Sequence, residues 1–151
     1  MNNIGFILIQ LSNTLDHDLI LRTIKQVENY NTRGQTIIFN SFCDKTELYN
    51  LPLLHLSKAQ FFYGKLFLFD LAGIILTNRF PNITQRILYT QSAPWRDQPN
   101  TFYHEWEALY QNTNLDILVN TPHLYQLYDT CWKKPIGISE TFSYEQIKNY
   151  I

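Results

Sequence analysis

The stretch "IGFILIQLSNTLDHDLILRTIKQV" (residues 4–27) decides the fold. It opens with a nearly continuous apolar run, which is typical of a strand buried on both faces of a parallel sheet. The cap-forming cluster "SNT" follows, and Asp16 and Asp18 fall in the predicted first turn of a helix, whose positive end carboxylates favour. Apolar residues then recur at helical spacing. The stretch therefore predicts one unit of buried strand and amphipathic helix.

The rest of the chain repeats this alternation. Asp70 is expected to cap one of the later helices, and Pro122 suits the first position of another. Further strands are predicted at 36–41, 53–57, 65–70, 86–91, 115–121 and 134–140, and the later helices at 71–80, 102–111, 122–132 and 143–151. Alternation of this kind favours right-handed βαβ units. We predict a single Rossmann-like α/β domain over residues 1–151, with an open, mostly parallel sheet of about six or seven strands and helices on both faces.

Composition and charge narrow the classes of partner. The formal net charge is −1 and no run of Lys or Arg occurs, so no nucleic-acid partner is expected. Cys43 and Cys131 match no zinc or redox spacing, which favours two reduced cysteines. The apolar run 4–11 is too short to cross a bilayer, and it lacks the features of a signal peptide. We expect no membrane span and a cytoplasmic location.

Ligands of open α/β sheets bind beyond the carboxyl ends of the strands. The residues that follow the predicted strands at that edge are mostly small and polar, as a rim for a hydroxyl-rich ligand would be. The candidate ligand-binding residues are Ser12, Asn13, Ser41, Gln91, Trp95, Arg96, Asn120 and Glu140. Small polar residues in such turns also cap helices, so each small polar candidate has a structural alternative.

The segment "SAPWRDQPN" (92–100) is predicted to be a long polar loop after a strand. Trp95 could stack on a sugar or a base, and Arg96 could bind a phosphate or a carboxylate. Alternatively, Trp95 packs the loop onto the sheet while Arg96 stays in solvent. His104 and His123 are the two candidates for a general base, because histidine is the commonest residue in that role, although nothing in the sequence gives either a partner.

Several catalytic motifs are missing from the sequence. Neither a Rossmann dinucleotide fingerprint nor a P-loop follows the first strand, and no nucleophile elbow occurs. "HEWE" (104–107) lacks the second histidine of a zinc protease, because position 108 is Ala. We therefore predict neither a metal nor a cofactor.

The layout of "LHLSKAQFFYGKLFLFD" (54–70), "RILYTQSAPW" (86–95) and "DILVNTPHLYQLYDTCWKKPIGISETF" (116–142) resembles the N-terminal, acceptor-side domain of GT-B glycosyltransferases. It is also similar to small glycosyltransferase-like proteins of tailed phages, for which the location would be the host cytoplasm. The resemblance implies that a sugar or another polar acceptor binds here. The sequence ends at Ile151, where the nucleotide-sugar domain of that family would start. The resemblance therefore implies one of three cases: half of a two-chain enzyme with a partner that supplies that domain, a chain that acts alone in a different role, or the fold without the activity.

Three hypotheses follow. The first is a glycosyltransferase-like domain that binds a sugar acceptor and acts with a donor-binding partner. The second is a non-catalytic interaction module, such as a phage accessory protein that binds a host protein, which the many Tyr and Trp residues favour. The third is a small-ligand Rossmann-type binder or enzyme of another class, which the missing phosphate loops disfavour.

Overall fold

One open parallel sheet forms the centre of the molecule. The computed structural model describes residues 2–9, 15–40, 50–97, 103–112 and 114–151. Within these residues the strands are β1 (Ile4–Leu8), β2 (Thr36–Asn40), β3 (Leu53–His55), β4 (Gly64–Leu68), β5 (Ile83–Thr90), β6 (Leu115–Val119) and β7 (Gly137–Ile138). They pair in the order β3-β2-β1-β4-β5-β6-β7, and every pair is parallel. The predicted fold class is confirmed.

Helices cover both faces of the sheet. They are α1 (His17–Tyr30), α2 (Leu71–Thr77), α3 (Pro94–Asp97), α4 (Tyr103–Tyr110), α5 (Pro122–Cys131) and α6 (Tyr144–Ile147), with 3₁₀ helices at Leu56–Phe61 and Lys148–Tyr150. The buried side chains of α1 and α6 form one core with the sheet. Those of α2, α4, α5 and the first 3₁₀ helix form the other core. None of the helices within the described ranges is both long and apolar enough to cross a bilayer.

The first strand is buried on both sides, as its apolar run predicts. Phe6 and Leu8 belong to the core on the α1 face, whereas Ile7 belongs to the opposite core. Burial of each such side chain stabilises the fold by roughly 1.5–3 kcal/mol. A polar residue at any of these positions would therefore be costly on either face.

The start of α1 differs from the expectation that residues of "SNT" cap it. Asp16 is itself the N-cap residue, and its Oδ1 accepts a hydrogen bond from the Leu19 amide at 3.0 Å. Asp18 stays in the first turn, as expected. Ser12, Asn13 and Ser41, like Cys43, lie outside the described residues.

Three other segments differ from their predicted form. The loop that carries Trp95 contains a short helix, α3. The last strand is shorter than predicted and spans only Gly137–Ile138. The third strand spans Leu53–His55, shorter than the predicted 53–57, and it is exposed because it lies at the edge of the sheet.

A buried arginine ends α2 three residues before the predicted boundary. The Arg86 side chain rises from β5 and is 4% exposed. Its guanidinium donates hydrogen bonds to the carbonyl of Thr77, the last residue of α2, and to the carbonyl of Phe80, which follows the helix. Burial lowers the pKa of Arg86, while the carbonyls at the negative end of the helix stabilise its charge. This contact fixes the carboxyl-terminal end of α2 against β5.

Candidate functional site

A cavity opens at the point where the strand order reverses. The chain leaves β1 for α1 on one face of the sheet and leaves the neighbouring strand β4 for α2 on the other face. The carboxyl ends of β1 and β4 therefore border a crevice, which is where open α/β sheets bind ligands. A cavity of about 150 Å³, called the switch-point cavity below, lies next to this crevice, between the ends of β4 and β5 and the segment that leads into α1. Two larger cavities flank β3, away from this edge.

One wall of the switch-point cavity is polar and comes from the end of β5. Gln91 Nε2 donates to the Tyr89 hydroxyl at 3.1 Å, and that hydroxyl donates to the Ser139 carbonyl at 3.2 Å. Thr90 Oγ1 donates to the Ser92 carbonyl at 3.1 Å. Within the described residues no hydrogen bond engages Gln91 Oε1. The side-chain amide of Gln91 is therefore oriented by the hydrogen bond that its nitrogen donates.

Asp70 stands at the mouth of the same cavity, directly after β4. Its Oδ1 accepts a hydrogen bond from the Gly73 amide at 2.6 Å and so caps α2, as the sequence predicts. The apolar part of the lining includes Leu15, Phe69 and Pro94. The cavity thus combines one carboxylate, an amide and hydroxyl groups with apolar surface.

Two buried tyrosines support the floor of the cavity. Tyr110 and Tyr128 are both buried, and Tyr128 donates a hydrogen bond to the Ser92 carbonyl at 3.1 Å. Burial raises the pKa of Tyr128 to about 12 against the opposing hydrogen bonds of Tyr110 and Thr90. Burial and the neighbouring Tyr128 also raise the pKa of Tyr110. Both phenols stay protonated near neutral pH, so they can donate hydrogen bonds but cannot act as bases.

Trp95 packs into the protein beneath the cavity. Its ring meets Tyr110, Tyr128 and Trp132 edge to face, with centroid distances of 5.5, 4.7 and 5.5 Å. Pro94, rather than Trp95, contributes to the cavity wall that the described residues form. These contacts are those of a side chain that anchors α3 on α4 and α5.

The other candidate residues are distributed along the carboxyl edge. Arg96 is exposed on α3, Glu140 is exposed beyond β7, and Asn120 follows β6. Asn120 Oδ1 is buried and accepts no hydrogen bond from the residues that the structure describes. Of the predicted ligand-binding residues inside the described ranges, Gln91 is the one that lines the switch-point cavity.

Neither candidate general base is in the cavity lining. The His104 side chain is 95% exposed, and its Nδ1 lies 3.6 Å from Glu107 Oε2 one turn along α4. His123 is exposed in the first turn of α5. Both histidines thus lie on helix surfaces at this side of the sheet. No cluster of three His, Cys, Asp or Glu side chains suitable for a metal occurs within the described part of the chain.

Sequence reasoning missed Thr90 and Tyr110 as lining residues. The rule of carboxyl ends could have identified Thr90, because it is the last residue of β5. Tyr110 gives no such signal, because its place depends on how α4 packs on the sheet.

Comparison of the chain with protein-family models, curated proteins and solved structures gives no match. The functional argument therefore depends on the fold and on the switch-point cavity.

Proposed function

We propose that this chain is a glycosyltransferase-like domain that binds a sugar, or another neutral polar acceptor, in the switch-point cavity. In this proposal a partner protein supplies the nucleotide-sugar domain, as the resemblance to GT-B enzymes implies. The chain would work in the cytoplasm, as small glycosyltransferase-like proteins of tailed phages would in their host.

The main support for this proposal is the charge of the residues that line the cavity. Among the described lining residues Asp70 supplies a carboxylate, and no Lys or Arg is present. A neutral hydroxylated ligand therefore suits the described lining better than an anionic phosphate, which the carboxylate of Asp70 would repel. Hydroxyl groups can donate to Asp70 and Gln91 and accept from Ser92, while the carbon–hydrogen surface of a sugar ring suits the apolar wall.

The size of the cavity supports the same ligand class. Its volume is about 150 Å³. It lies below the roughly 300–1,000 Å³ that is usual for drug-sized ligands. One sugar ring is compatible with this space, whereas a nucleotide sugar needs more. The donor therefore requires additional surface, which is the role proposed for the partner.

A thermal-shift experiment on the full chain tests the proposal. We expect simple saccharides to raise the melting temperature, by several degrees at a concentration of about 100 times Kd, and free nucleotides to have no effect. Gln91→Leu should abolish the shift. Gln60→Leu is the matched control, because Gln60 is exposed on the 3₁₀ helix that leads back to the amino end of β4.

Two results would contradict the proposal. One is stabilisation by free nucleotides without any response to saccharides. The other is the absence of any response to saccharides together with unchanged backbone amide NMR signals around Gln91. The interaction-module alternative would then be preferred, and the exposed edge of the sheet at β3 favours it independently.

A further inference from the structure

Among the strands of the described residues, β3 is the last strand on one side of the sheet. The Ile38 amide donates to the Pro52 carbonyl at 2.9 Å, which fixes the orientation of the strand. Because successive peptide groups alternate in direction, the N–H and C=O of Leu53 and the N–H of His55 point away from β2. Within the described ranges, which leave out residues 41–49, these backbone groups have no hydrogen-bond partner.

Two mainly apolar cavities of about 440 Å³ each border this edge, one reaching Glu28 of α1 and the other reaching the first 3₁₀ helix, and Leu54 lines both. Leu53 lines the cavity on the α1 face, and Phe61 and Tyr63 line the one on the face of the 3₁₀ helix. Leu53 and Leu54 are 41% and 43% exposed, and Phe61 is 72% exposed. Side chains of an added strand alternate between faces, so such a strand would place them in both cavities.

Charge distinguishes the two cavities. On the α1 face, Glu28 is paired with Lys25 at 2.5 Å. On the other face, Lys58 is exposed at the cavity rim, and no carboxylate of the described residues forms an ion pair with it. A carboxylate of a bound segment would complement Lys58 there.

We propose that the β3 edge docks an extended segment of a partner protein, which adds as an eighth strand with apolar residues at alternate positions and an acidic residue on the Lys58 face. A second copy of this chain fits less well. A two-fold axis perpendicular to the sheet would bring equal faces together and place Lys58 near its own copy. A small apolar carboxylic acid is a third possible occupant, but it would leave the backbone N–H and C=O groups that point away from β2 without hydrogen bonds.

Peptide selection on the full chain tests this docking site. A phage-displayed library of random peptides is selected on the wild-type protein, and enriched sequences are measured by calorimetry as synthetic peptides. We expect apolar residues at every second position together with an Asp or Glu, and no enrichment of proline. Methylation of the peptide amides that face β3 should abolish binding, because it removes the strand hydrogen bonds.

A charge exchange makes the test specific. Lys58→Glu should weaken the enriched peptide by about tenfold, and a peptide with Lys in place of its acidic residue should restore the affinity. Lys134→Glu is the matched control, because Lys134 is exposed near β7 at the opposite side of the sheet. Phe61→Ser should also weaken binding, whereas Ile75→Ser, at another exposed apolar residue, should not.

Four outcomes would overturn the proposal. They are an enriched pattern without period-two apolar residues, an equal effect of Lys58→Glu and Lys134→Glu, binding that survives amide methylation, and the absence of enrichment. A dimer in analytical ultracentrifugation that Lys58→Glu abolishes would instead assign the edge to a second copy. Because saccharide binding is measured at the other site, failure of either proposal leaves the other intact.

Discussion

Replacement of Trp95 by alanine distinguishes a structural anchor from a ligand platform. The indole meets three aromatic rings edge to face at centroid distances of 4.7–5.5 Å. Such pairs contribute roughly 0.5–1.5 kcal/mol each beyond the buried area. Loss of a fully buried Trp or Phe costs about 3–5 kcal/mol, and Trp95 is only half-buried. We therefore expect Trp95→Ala to lower the free energy of unfolding by about 3 kcal/mol.

Urea unfolding followed by far-UV circular dichroism measures this loss without using tryptophan fluorescence. With a slope of about 2 kcal/mol per molar urea, the midpoint should fall by about 1.5 M. Trp95→Phe keeps an aromatic ring and should cost about 1 kcal/mol. Phe61→Ala is the control, because Phe61 is 72% exposed and should change stability by less than about 0.5 kcal/mol.

One result would refute the anchor interpretation. If Trp95→Ala costs less than about 1 kcal/mol and also abolishes saccharide binding, the indole serves the ligand rather than the fold. A stability loss near 3 kcal/mol with saccharide binding retained at low temperature would support the anchor.

Three further predictions concern stability. The pKa of Tyr128 is raised to about 12, so its contribution to the free energy of unfolding is complete below about pH 10 and is lost as the pH rises through about 12. Between these pH values the stability measured by urea unfolding should fall with pH, and Tyr128→Phe should make that fall less steep, by the equivalent of about one proton. Arg86→Met leaves two carbonyls without their charged donor and should cost about 2–3 kcal/mol in the same assay, and an unchanged midpoint would contradict the capping role. Gly64 has φ +147°, and an added Cβ would lie 2.3 Å from the Asn3 carbonyl oxygen, so Gly64→Ala should lower the melting temperature far more than Gly73→Ala, where the nearest atom lies 3.3 Å away.

Local signals were sufficient to predict most of the sheet and the order of its elements. The apolar run of β1, the cap at Asp70 and the position of Pro122 each depend on neighbours in sequence, and the structure confirms all three. The exposure of β3 was not predicted. "LLHLS" has the composition of a buried strand, but burial depends on the position of a strand in the sheet, which a single sequence does not encode locally.

Some residues of the candidate site could likewise be predicted from the sequence, and others could not. Gln91 could be predicted, because it directly follows β5 and the carboxyl-end rule applies to it. Tyr110 and the aromatic contacts of Trp95 could not, because they join α3, α4 and α5 across the surface of the sheet. Side chains that meet through the packing of separate helices leave no spacing in the sequence by which to find them.

A polar residue at the end of a strand can have a structural role and a functional role at the same time. Gln91 gives its amide donor to the Tyr89 hydroxyl, and that bond orients the side chain. Gln91 lines the cavity, and its amide oxygen accepts no hydrogen bond from the described residues, so a ligand hydroxyl that donates to it would cost little further side-chain entropy. An amide without this internal partner would have to be ordered by the ligand, at a cost of about 0.5–1.5 kcal/mol. The hydrogen bond that stabilises the turn is therefore also what would make Gln91 an effective acceptor for a neutral, hydroxylated ligand.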